Sequence, residues 1–128
     1  MQKVKIIFLT GFVLTIFFPS AAQCHVYPDS SSPAVGSVVT QAPKEIKIWF
    51  DGRLEAAFSG IRVMSEDSVE VDEKNSHVGK SNPVLLEVSL KDLNPGKYHV
   101  YWSAVARDGH HTYGDYIFTY KKIELKKK

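Results

Sequence analysis

Two stretches of period-two alternation constrain the fold of this chain most. In Glu45-Ile46-Lys47-Ile48-Trp49-Phe50, the residues Ile46, Ile48 and Phe50 fall on one face. In the segment from Lys97 to Ala106, Tyr98, Val100, Trp102 and Ala104 do the same. Side chains alternate between the two faces of a strand, so each pattern specifies a strand with one buried face. Shorter runs read the same way: Gly60 to Met64, Val69 to Asp72, Val84 to Leu90, and a last strand from Asp115 to about Tyr120. Asn94-Pro95-Gly96 predicts a type II turn that launches the longest strand. The stretch from Asp72 to Pro83 is polar and reads as a loop. Six or seven short strands in about a hundred residues predict an all-β, two-sheet antiparallel sandwich. There is no internal repeat and no sign of a second domain.

The N-terminus has a different character. Lys3 and Lys5 precede an almost uninterrupted apolar run from Ile6 to Phe18, and Pro19-Ser20-Ala21-Ala22 follows. A basic start, an apolar middle and small residues at a cut site make a secretory signal peptide. The run falls short of the roughly 18 to 20 residues that span a bilayer, so no stable membrane insertion is expected after cleavage. Ser20-x-Ala22 would release a chain starting at Gln23, and Ala22-x-Cys24 one starting at His25. The second is the preferred reading, because only that cut gives His25 a chemical purpose. Ala21 stands where a lipoprotein box wants a larger apolar residue, so lipidation of Cys24 is not expected. The expected organisation is a signal peptide over 1–24, a β-sandwich over 25–122 and a lysine-rich tail over 123–128.

Charge narrows the function. The whole chain has 16 basic and 14 acidic residues. Removal of Lys3 and Lys5 with the signal leaves 14 against 14, and five of those 14 lysines and arginines lie after Tyr120. The body is thus mildly acidic, which argues against nucleic-acid binding. The lysine tail reads as a solvated end. The one cysteine, Cys24, would leave with the signal, so the mature domain would carry neither a disulfide nor a soft thiolate.

A free N-terminal histidine is a bidentate ligand: its α-amine and its ring Nδ1 close a six-membered ring on a metal. Copper(II) suits such nitrogen donors, since it tops the divalent affinity order and takes tetragonal nitrogen and oxygen ligands. His25 therefore needs a third donor, and Asp108-Gly109-His110-His111 offers one. In an extended segment Asp108 and His110 would share a side. His110 would supply the third nitrogen, and Asp108 a carboxylate that ligates weakly or orients an imidazole. His111 would point the other way unless the loop is irregular. An Asp-Gly pair between strands is also an ordinary turn signal. His99 is expected on the solvent face, His77 as a bystander in the polar loop, and Trp102 and Met64 in packing roles.

These residues together resemble the CopC copper-resistance family. The resemblance rests on His25 after the signal, Ser32-Pro33-Ala34-x-Gly36, Ala42-Pro43-Lys44-x-Ile46 and Phe50. It continues through Phe58-Ser59-Gly60, Leu93-x-Pro95-Gly96-x-Tyr98-x-Val100-x-Trp102, and Asp108-Gly109-His110 to Gly114 and Phe118. It implies an immunoglobulin-like Greek-key β-sandwich of about seven strands in the periplasm. It implies a Cu(II) site built from the N-terminal amine, His25 and His110, with Asp108 nearby. It also implies a carrier role in copper resistance or homeostasis beside a CopD-type inner-membrane partner. Two departures matter. Some members bind Cu(I) through a methionine-rich loop, whereas this chain has only Met1 and Met64, so no Cu(I) site is expected. Some carry an acidic residue two positions after the equivalent of Phe50; here Asp51 comes one position after, on the other strand face, and is not expected to ligate. The competing functions are a small copper monooxygenase with an N-terminal histidine, and a metal-free adhesion sandwich.

Overall fold

The computed structural model describes residues 25–126; residues 1–24, where a signal peptide is expected, and the last two lysines lie outside the described residues. Eight strands form: β1 (Pro28–Ser32), β2 (Val38–Val39), β3 (Glu45–Phe50), β4 (Gly60–Ser65), β5 (His77–Val78), β6 (Leu85–Ser89), β7 (Gly96–Val105) and β8 (His111–Tyr120). One sheet has the order β1-β3-β6-β5 and the other β2-β8-β7-β4. The chain passes between the sheets at every step from β1 to β5 and again from β6 to β7, as in a Greek-key sandwich. The count exceeds the expected seven because β2 and β5 are two-residue strands too short to show a period. One pairing departs from the antiparallel expectation. Beyond Gly36 (φ +68°), whose N–H bonds Ile117 C=O at 2.8 Å, β2 runs parallel to the end of β8.

The core lies between the sheets, and the alternation places it. Ile46, Ile48 and Phe50 from β3 are buried, and so are Tyr98, Val100, Trp102 and Ala104 from β7. Phe118 of β8 is fully buried and stacks on Tyr98, with ring centroids 5.4 Å apart. Phe50 and Trp102 meet edge to face at 5.4 Å, joining the two sheets. Gly114 faces Trp102 across the β7–β8 pair; a Cβ there would lie 2.6 Å from the indole, so only glycine leaves the ring its place.

Several local expectations change. β8 starts at His111 rather than Asp115, because the whole of it pairs with β7 from Gly96 to Val105. Val69 to Asp72 makes only isolated bridges, Met64 to Glu70 and Asp72 to Leu90, instead of a strand. Gly96 has φ +159°, not the +80° or so that a type II turn demands. Met64 is on the outer face of β4, whose inward residues are Ile61 and Val63.

The least expected core residue is Asp72, 1% exposed. Its carboxyl accepts Val63 N–H at 2.8 Å and Lys74 N–H at 2.9 Å. It thereby completes the backbone bonding of β4 where the polar segment folds back over it. An orphaned buried N–H costs about 1–3 kcal/mol. Asp72→Ala is expected to lower stability by about that amount in urea unfolding, and Asp72→Asn by less, since Asn retains one oxygen acceptor. Equal loss in both variants would assign the role to the charge instead.

Candidate metal centre

The two residues that follow His25 are held firmly. Val26 is fully buried in the core. Gly52 makes room for it, since a Cβ at Gly52 would lie 2.7 Å from Val26 Cγ1. The buried Thr112 hydroxyl donates to Val26 C=O at 2.7 Å, joining positions 86 residues apart. Tyr27 N–H donates to Asp51 Oδ1 at 2.8 Å, and Asp51 N–H donates back to Tyr27 C=O at 3.0 Å. Asp51 thus grips backbone. His25 projects from this anchored segment and is exposed.

The second half of the site is the turn between β7 and β8. Gly109 N–H bonds Ala106 C=O, and Ala106 N–H bonds His110 C=O, both at 2.9 Å. Gly109 has φ +88°, a conformation that favours glycine. Asp108 and His110 meet because the chain turns, and the extended arrangement expected from their spacing does not form. Asp108 Oδ1 accepts His110 N–H at 3.1 Å, while Oδ2 lies 2.8 Å from His110 Nδ1. A carboxylate at Nδ1 fixes the imidazole plane and leaves Nε2 as the outward donor. The fold then brings the two ends of the domain together: the rings of His25 and His110 lie 5.0 Å apart, inclined at 51°. The Tyr27 ring lies 6.3 Å from that of His25. The His110 side chain is about half exposed, so a small ion reaches it directly.

The remaining histidines are engaged in other contacts. His111 Nε2 contacts Ser103 Oγ at 2.7 Å, and its ring faces Tyr113. His99 is more enclosed than expected of a solvent-facing residue: it stacks on Tyr101 at 4.2 Å and pairs with Asp115 through Nε2. His77 belongs to β5, where Nε2 meets Glu87 Oε1 at 2.9 Å and Nδ1 meets Asn75 C=O.

Among the described residues, no group of three or more His, Cys, Asp or Glu side chains could hold a metal ion by itself. The donor set expected from the sequence includes one donor that is not a side chain, the α-amine of His25. In the uncut chain this nitrogen is an ordinary amide. Sequence reasoning missed the positions that seat His25: Thr112, Gly52 and the backbone-gripping role of Asp51.

Comparison with known proteins follows the same lines. The CopC domain model matches residues 28–121. The copper transport protein CutJ of Bacillus subtilis is 31% identical over 110 residues, 85% of this chain but 20% of that longer protein. The chain therefore spans only a fifth of that relative. Copper resistance protein C of Escherichia coli is 31% identical over 124 residues, covering 91% of this chain and 96% of that one. The crystal structure of CopC from Methylosinus trichosporium OB3b superposes with a TM-score of 0.73 at 28% identity, over 79% of this chain and 98% of that chain. With its two-sheet architecture and this extent of matching, the chain belongs to the CopC domain family.

Proposed function

We propose that this protein is an exported Cu(II) carrier or buffer, working in the periplasm in copper resistance or homeostasis. The observation that carries the proposal is the 5.0 Å approach of the His25 and His110 rings, with Asp108 bound to the inner nitrogen of His110. Cleavage before His25 frees its amine. The amine and Nδ1 of His25 then chelate the ion, and His110 Nε2 supplies a third nitrogen. Asp108 holds the His110 imidazole in plane, with Nε2 turned outward. Three nitrogens and nearby oxygen favour Cu(II) over Cu(I), which prefers sulfur. Membership of the CopC family and the names of the copper transport and copper resistance relatives support copper as the cargo. A CopD-type inner-membrane protein is the proposed exchange partner.

Titration of the His25-started protein with Cu(II) tests the site. His110→Ala is expected to weaken binding about 100-fold, roughly 2.8 kcal/mol. His77→Ala, which removes only a pair with Glu87, is expected to bind within about twofold of the parent, under 0.5 kcal/mol. Equal losses in the two variants would sink the ligand assignment. Hydrogen peroxide output with copper and a reductant is expected to stay at or below that of free copper; sustained turnover above it would replace the carrier by an oxygenase.

A further inference from the structure

The cut chain asks an unusual thing of a terminal residue. Chain ends fray unless something ties them down, and a frayed His25 would pay ordering entropy each time it closed on a metal. Two polar contacts prevent this, one from each sheet. Thr112 is the second residue of β8, two positions after His110 at the end of the β7–β8 turn. Its hydroxyl bonds the C=O of Val26, the residue next to His25. Asp51, which follows β3, takes the N–H of Tyr27 and returns its own N–H to Tyr27 C=O. One contact registers the N-terminal segment against β8, the strand that begins directly after His110. The other stops that segment from lifting off the opposite sheet.

We propose that Thr112 and Asp51 are positioning residues for the N-terminal copper chelate: they touch no metal and act by holding Val26 and Tyr27. The inference rests on the Cu(II) site proposed above and adds two groups that give it geometry before the ion arrives. Two features separate this from general stabilisation. Asp51 is exposed, so its removal leaves the core intact. Its side-chain acceptor bond goes to Tyr27 N–H, two residues from the chelating histidine.

The test uses four variants, each with a free His25 amine and each with that amine acetylated. Thr112→Val keeps the shape and loses the hydroxyl, and Thr112→Ser keeps the hydroxyl. Asp51→Ala loses the acceptor, and Asp51→Asn keeps an oxygen in its place. With the free amine, Thr112→Val and Asp51→Ala are each expected to weaken Cu(II) binding about 10-fold, the lower end of the effect of outer-shell partners. Their Cu(II) electron paramagnetic resonance spectra are expected to show fewer bound nitrogens at limiting copper. Thr112→Ser and Asp51→Asn should bind within about threefold of the parent, by the same outer-shell reasoning. Amide exchange at Tyr27 should speed up in Asp51→Ala while the core amides of β7 stay protected. In the acetylated series the losses should be smaller than with the free amine, because only the His25 imidazole, and no chelate ring, remains to be positioned.

Parent-like binding by both Thr112→Val and Asp51→Ala, with acetylation still harmful, would overturn the positioning role and leave the chelate standing. Asp51→Asn as weak as Asp51→Ala would make Asp51 a charge or a ligand, again overturning it. Should Thr112→Val fail to fold, the Asp51 pair decides the matter alone. If acetylation changes nothing in the parent, the amine chelate is wrong, and the positioning role falls with it.

Discussion

Acetylating the amine of His25, or leaving one residue ahead of it, is expected to weaken Cu(II) binding about 100-fold, roughly 2.8 kcal/mol. Either change turns the α-nitrogen into an amide with no basic lone pair. The six-membered ring cannot close, and His25 becomes a monodentate imidazole. In the uncut chain, where this nitrogen is already an amide, the two rings lie 5.0 Å apart, so a metal still meets two imidazoles and a carboxylate. Weakened binding is therefore the expectation, not its abolition. The pH dependence separates the two forms further. A free α-amine has an ordinary pKa of about 7.7 to 8.0. Copper must displace that proton to bind, so below this range the free-amine protein should lose up to about tenfold in affinity per pH unit beyond the loss shared by both forms. The blocked protein should lack this component. Isothermal titration at pH 6, 7 and 8 measures both effects. Matching affinities for blocked and unblocked chains would remove the amine from the site.

Trp102→Ala is expected to cost about 3–5 kcal/mol of stability, the range for removing a large aromatic from a core. Trp102 is 9% exposed and meets Phe50 of the other sheet edge to face. A domain of this size loses about 4–8 °C in Tm per kcal/mol, so Tm should fall by at least about 12 °C. The environment of the indole supplies an internal control. Gly114→Ala places a Cβ 2.6 Å from the Trp102 ring and should cost about 1–3 kcal/mol by overpacking. With Trp102 already removed, that cost should vanish, or reverse as the methyl fills part of the cavity. The two substitutions are expected to couple by about 1–3 kcal/mol in a double-mutant cycle. Additive effects would show that Gly114 is not there to admit the indole.

The parts of the fold that the chain sequence made legible are those where burial follows a local period. The inward faces of β3 and β7 could be read because every second residue is apolar, and all seven of those residues are buried. The parts that could not be read depend on partners elsewhere. Nothing in a polar segment marks Asp72 as buried; it is so because Val63 N–H, nine positions away, needs an acceptor. The short strands β2 and β5 exist because longer neighbours offer them backbone partners. The Asp108 and His110 pair was expected from spacing, but a closed turn makes the contact where strand alternation was expected to.

The candidate site divides along the same line. By itself the sequence determined the candidate donors: a histidine beside an expected cut site and a second histidine after Asp-Gly, a set in which nitrogen outweighs sulfur. Tertiary structure alone decided that the donors meet and what seats them. The ring-to-ring approach of His25 and His110 follows from the docking of Val26 under Gly52, from the reach of Thr112 across 86 positions, and from the grip of Asp51 on Tyr27. A local pattern records which face of a strand avoids water, because the period of the backbone imposes it. A contact between the two ends of a domain is recorded nowhere locally, because it is set by how two whole sheets pack and by which buried polar groups then find partners.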